Sequence, residues 1–166
     1  MKKTLITLIA TVALFAFKPA ADTWTVDNAH SKLGFTITHM MVSDVEGAFK
    51  NFTATVSSSK DDFSDAVVDL SADVTSVTTD NDQRDTHIKS PDFFDAAKFP
   101  KLTFKSTSVK KVGDKTYKIT GNLTLKGVTK PVTLDATLRG TYVNQQKKSV
   151  CSYTQRWKMC QVKPPV

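Results

Sequence analysis

Any chemistry in this chain has to come from a short list of residues. Three histidines occur, His30, His39 and His87. They stand in separate stretches, with no pair at the i, i+4 spacing by which one helix face offers two ligands to a metal. No metal site is expected, and each histidine reads as a hydrogen-bonding residue. His30-Ser31 beside Asp27 has the composition of a hydrolase triad. Adjacent residues on an extended strand point to opposite faces, however, so His30 is badly placed to activate Ser31, and no catalytic residue is expected.

The densest polar cluster is Arg84, Asp85, His87 and Lys89. Arg and Lys can hold a phosphate, and His or Asp can bond a carbonyl or hydroxyl, which together would make a head-group site. The same cluster fits a solvated helix face equally well. Cys151 and Cys160, the chain's two cysteines, lie nine residues apart with no nearby histidine. That is a poor zinc site; in an oxidising compartment they can pair, but the bridge would staple only the tail.

The formal charge of +7 suggests nucleic acid or an anionic membrane as partner until its distribution is examined. Residues 22–140 hold 15 basic and 16 acidic side chains, a net of −1. The excess sits at the two ends: Lys2, Lys3 and Lys18 at one, and Lys147, Lys148, Arg156, Lys158 and Lys163 at the other. The body carries neither a basic stripe nor a groove-reading helix, so nucleic acid is not an expected partner.

Lys2 and Lys3 precede an uncharged apolar run, Thr4 to Phe17, which is too short to span a bilayer. Ala20 and Ala21 then lead into polar sequence. This is the layout of a secretory signal peptide over residues 1–21, although a cut after Ala21 leaves Pro19 at a position where a small residue is usual. Export to the periplasm is expected, with no stable membrane span.

The elements that must position these groups read as strands. Leu33, Phe35, Ile37 and His39 share one parity; Phe52, Ala54 and Val56 another. Val68, Leu70, Ala72 and Val74 alternate with polar residues, as do Leu102 and Phe104, and Val132, Leu134, Ala136 and Leu138. Tyr117, Ile119, Gly121, Leu123 and Leu125 form one long file. Period two repeated this often predicts antiparallel strands with one face buried. Turns are predicted at Val112–Lys115 and Lys126–Pro131, which favours a meander closing into a barrel, or else a sandwich. Residues 80–99 break the pattern. Asp80 or Asn81 can cap a short helix ending near Lys89, and Ser90-Pro91 is a second helix-start signal. Ile88, Phe93, Phe94 and Phe99 concentrate apolar surface there, which predicts a cap against the barrel or over its mouth.

Four stretches carry a family resemblance. They are Trp24 to His39, Gly47 to Phe52, Arg84 to Asp95 with Phe99 to Ser106, and Gly121 to Val132. In order and spacing they resemble the YceI-like family. The resemblance implies an all-β fold, a lipocalin-like antiparallel β-barrel with a short helical segment around residues 81–97. It implies binding of a polyisoprenoid lipid, an isoprenoid quinone or prenyl pyrophosphate, with no cofactor and no established enzyme activity. On that reading Phe35, Ile37, Phe49, Phe94, Phe104, Leu123 and Leu125 form the ligand wall. His39, Arg84, Asp85 and His87 lie near its polar end. Two alternatives stand beside it: an enzyme acting on prenyl pyrophosphates through the Arg84–His87 cluster, and a structural, stress-linked exported protein with a filled core.

The family pattern is followed to about Arg139-Gly140. Beyond it, over residues 141–166, alternation fades, acidic residues vanish and both cysteines appear. The expectation is that residues from about 145 arise from a frameshift or truncation, leaving the barrel incompletely closed. An open barrel exposes edge hydrogen-bonding groups, which favours strand exchange or a homodimer.

Overall fold

A computed structural model describes residues 21–39, 43–143 and 149–155. Residues 1–20 of the segment read as a signal peptide, and residues 144–148 and 156–166 of the tail, Cys160 among them, lie outside the described residues. Ten strands and one α-helix follow one another: β1 (Asp22–Thr25), β2 (Leu33–His39), β3 (Ser43–Phe49), β4 (Phe52–Ser58), β5 (Val67–Asp73), β6 (Val77–Thr78), α1 (Asp82–Lys89), β7 (Lys101–Lys111), β8 (Thr116–Leu125), β9 (Val128–Val143) and β10 (Ser149–Gln155).

Seven of them form one antiparallel sheet in the order β1-β4-β5-β7-β8-β9-β10, and β2-β3-β6 form a second. The large sheet curls so that β10 approaches β1 at its other margin, but among the described residues no ladder joins them. The barrel is therefore incompletely closed. β9 continues past the point where alternation fades, and β10 pairs back on it from Ser149↔Val143 to Gln155↔Ala136. The tail thus contributes backbone pairing that its side-chain pattern did not announce.

Register sets one face of the large sheet inward. Trp24, Val56, Val68, Leu70, Phe104, Leu123 and Gly121 follow one another across paired positions. On β9 the same face carries Val128, Lys130, Val132, Leu134 and Ala136, opposite Leu125, Leu123, Gly121, Ile119 and Tyr117. Phe104 and Ala72 on this sheet, and Val74 just after the end of β5, are almost completely buried.

The β4–β5 loop closes one end. Phe63, buried and held at φ 55°, turns inward against the Trp24 ring at 5.0 Å. The Tyr117 hydroxyl donates to the Asp62 carbonyl at 2.9 Å and fixes that turn. Residues 80–99 pack on the other end. Asn81 caps α1 by accepting the Arg84 N–H at 2.9 Å. The second helix predicted at Ser90-Pro91 does not form. Ser90 instead ends α1, and the N–H groups of Phe93 and Asp95 return to its carbonyl in a run of turns, with Asp95 at φ 49°.

The β8–β9 connection is also shorter than predicted. It is Lys126-Gly127 alone, both at positive φ (51° and 71°), the two-residue turn whose twist matches antiparallel strands. Thr129, Lys130 and Pro131 belong to the strand, not to the turn.

Candidate functional site

The apolar wall expected from sequence comes from three places in the chain. Phe35 and Phe49 face each other across β2 and β3 at 5.6 Å, and Phe94 from the cap segment stacks on Phe49 at 6.3 Å. Phe104 and Leu123 are register partners on β7 and β8. Phe35, Phe49 and Phe104 are buried, while Ile37, Phe94, Leu123 and Leu125 are only half-buried and pack against the core. Glycines make the tight contacts possible. A Cβ on Gly47 would fall against the Phe35 ring, and one on Gly121 against the Phe104 ring and the Lys105 carbonyl.

The inner face is not uniformly closed. Along β8, Tyr117 and Ile119 are buried, but Leu123 and Leu125 keep part of their surface open toward the end that carries the cap. Val132 beside them is also half-buried, and Val128 at the lip is 52% exposed. Lys130 is the one charged residue in the inward file from Val128 to Ala136. Among the described residues the outer edge of β9 from Val128 to Asp135 has no strand partner, because pairing with β10 begins at Ala136.

The expected polar end is distributed differently. Asp85 is buried, and its Oδ1 accepts the Thr79 N–H at 2.7 Å and the Thr79 hydroxyl at 2.6 Å. Arg84 donates through Nε to the same hydroxyl at 2.7 Å and through Nη2 to the Thr79 carbonyl at 2.8 Å. Both charged groups therefore bind the end of β6 to α1. His87 is exposed, edge-on to Phe93 at 4.8 Å, with Nε2 at 3.9 Å from Asp92. The backbone of His39 pairs with Ser43, and its side chain lies outside the described residues. Sequence reasoning missed Thr79, which carries no signal of its role, and the lip residues Val128 and Lys130, which the turn assignment concealed.

A second, polar cleft of about 430 Å³ lies beside α1, where Lys50 and Lys89 meet Asp82, Asp85 and hydroxyls such as Thr78 and Thr86. Its two cations and two carboxylates balance. Elsewhere His30 is a surface residue whose Nδ1 meets Asp27 Oδ2 at 2.8 Å, and that contact is the main reason the Asp27 carboxyl is lowered. Among the described residues no three metal-binding side chains cluster, and no helix is long and apolar enough to cross a membrane.

This architecture and these stretches match the YceI-like domain over residues 24–159. The chain belongs to the YceI-like family. Relatives called Protein YceI from Salmonella newport and Salmonella arizonae are each 43% identical over 143 residues, covering 84% of this chain and 74% of the relative. Among solved structures, BcnA of Burkholderia cenocepacia is similar at TM-score 0.66 and 30% identity, over 71% of this chain and 74% of that one. The Campylobacter jejuni YCEI protein is similar at TM-score 0.61 and 31% identity, over 80% and 77%. The YceI-like match runs beyond Gly140 and includes β10. With it comes the architecture of a lipocalin-like binding protein, which the half-open inner face fits.

Proposed function

We propose that this chain is an exported, periplasmic protein that holds a polyisoprenoid lipid, an isoprenoid quinone or prenyl pyrophosphate, for transport, storage or sequestration. It does no chemistry on that lipid. The observation that carries the reading is the inward file of β8 and β9, which is sealed at Tyr117 and Ile119 and left partly open at Leu123, Leu125 and Val132. A slender prenyl chain laid there gains about 0.8 kcal/mol per buried CH₂-sized group, so apolar contact alone supplies useful affinity. The engagement of Arg84 and Asp85 by Thr79 argues against the enzymatic alternative, since both are already committed to the fold.

A filled-core reading is favoured by one observation: Phe35 and Phe104 seat directly on Gly47 and Gly121, leaving no room between ring and backbone. Organic extraction of the purified protein followed by mass spectrometry separates the two. Co-purified prenyl lipid, or stoichiometric uptake of added quinone, is expected. No lipid and no uptake would leave the filled core as the answer.

A further inference from the structure

We infer that the lip of the open barrel is a docking surface for an anionic phospholipid bilayer, the source from which a prenyl chain enters. The inference rests on the lipid-binding reading for its purpose, though not for its test. Two elements form the lip. The cap segment after α1 and the β8–β9 turn are joined where Lys126 Nζ donates to the Pro91 carbonyl at 2.8 Å and where Gly127 packs under the Phe99 ring. Each offers a large apolar side chain to solvent: Phe93 at 49% exposure and Val128 at 52%.

The charge around them has one sign in excess. Residues 88–101 and 124–132 hold five lysines against Asp92 and Asp95, but Lys101 lies opposite Asp73 on the neighbouring strand and Lys89 shares a cleft with Asp82 and Asp85, so Lys98, Lys126 and Lys130 carry the excess. Asp95 is buried, and Lys98 lies 3.8 Å from it. Asp80 precedes α1 at the end away from the lip, and the helix, with eight residues, is about 12 Å long.

The opposite end of the barrel provides the comparison. It too exposes two valines, Val67 and Val112. Among the described residues, however, its loop and turn (59–66 and 110–116) hold four lysines against four aspartates, and Lys118 nearby is paired with Asp135 at 2.7 Å. Among the described residues only the cap end combines exposed apolar side chains with surplus positive charge. Only there is an exposed valine, Val128, in the same inward file as Leu125 and Val132. A prenyl tail leaving a bilayer at Val128 meets Leu125 across the ladder and then Leu123, with Lys130 as the one charge beside that path. The lysines meet the headgroups, an attraction that is strong near an anionic surface and fades within a Debye length.

Vesicle co-sedimentation tests this with the protein expressed from its whole coding sequence and purified as the cell leaves it. The vesicles are phosphatidylcholine alone, or phosphatidylcholine and phosphatidylglycerol in equal parts, with no prenyl lipid in either. Binding is expected to the anionic vesicles only and to be lost at high salt. The double variant Lys98→Glu, Lys130→Glu should weaken it by at least about tenfold. The double variant Phe93→Ser, Val128→Ser should weaken it about fivefold. Val112→Ser at the other end should leave it unchanged. Melting curves confirm that each variant, altered only at exposed positions, is folded. Equal binding to neutral vesicles, no binding to either, or lip variants that sediment like the parent would each overturn the docking surface. Because the vesicles carry no prenyl lipid, docking without any extractable cargo would count against the cargo reading alone.

Discussion

Thr79 and Asp85 hold each other through a single oxygen: Oδ1 of Asp85 accepts both the backbone N–H and the hydroxyl of Thr79, at 2.7 and 2.6 Å. Arg84 completes the arrangement from the other side by donating to the same hydroxyl. Arg84 and Asp85, two of the four residues that read as a head-group site in sequence, thus form the joint between β6 and α1. Asp85→Ala leaves two buried donors without an acceptor and is expected to cost about 2 kcal/mol, with Thr79→Val costing about half as much. Urea unfolding of both singles and the double checks this. Additive losses would mean that the two residues act separately.

Acid should loosen that joint only at low pH. Burial pushes the Asp85 carboxyl up, but donors at Thr79 and Thr78, helped by Lys89, outweigh it and hold it below the ordinary 3.8. Asp65 is lowered by the hydroxyls of Ser58 and Ser59, and Asp73 by Thr75. A carboxyl depressed in the folded state adds stability above its unfolded value and loses it as pH falls through the folded one. Stability is therefore expected to stay level from neutral to about pH 5 and to fall only beneath the ordinary carboxylate range. Urea midpoints measured across that range decide it, and a main transition above pH 5 would point to a different group, since about that pH all these carboxyls are already ionised.

Two glycines in strands should respond very unequally to a methyl group. At Gly121 a Cβ meets both the Phe104 ring and the Lys105 carbonyl, and a backbone atom cannot swing away. At Gly34 the nearest atom is the Gly47 carbonyl oxygen at 3.4 Å, ordinary contact. Gly121→Ala is expected to cost about 1–3 kcal/mol and Gly34→Ala well under about 1. Thermal melting of the two variants compares them directly, and equal melting temperatures would mean that Phe104 repacks freely.

What the sequence disclosed follows from the physics of each signal. Alternation predicted the inner file from Tyr117 to Leu125, because a buried face leaves a period of two in any strand. It hides the lip because Lys126–Pro131, with its Gly, Thr, Lys and Pro, reads as one loop. A Lys-Gly pair in which both residues adopt positive φ turns the chain in two residues, so the strand resumes at Val128. That correction is what places Lys130 in the inward file. Ser90-Pro91 carries a helix-start pattern, yet the carbonyl of Ser90 is taken by local turns. The pairing of β10 had no local signature at all, since register with β9 is a long-range property.

The open part of the inner file should matter to ligand and little to the fold. Leu125 is half-buried at the end of β8, next to the lip, whereas Thr124 beside it faces outward. Leu125→Ser is expected to weaken quinone binding about tenfold, from the lost burial of one leucine side chain. Thr124→Ser should leave it unchanged. Titration calorimetry with a soluble short-chain quinone provides the measurement. Equal affinities for the two variants would place the chain of the ligand elsewhere in the barrel.

Pro131 guards the exposed part of β9. It pairs with Asn122 on β8, and the strand beyond it toward the outer edge has no partner among the described residues between Val128 and Asp135. A proline is tolerated in a strand where its missing N–H faces away from the ladder, and there it denies an incoming strand one donor. Pro131→Val restores that donor and adds a side chain suited to strands, so the variant is expected to form homodimers or larger species at concentrations where the parent does not. Size-exclusion chromatography with light scattering over a concentration series reads this. If parent and variant showed the same dimer at the same concentrations, association would have to run through another face.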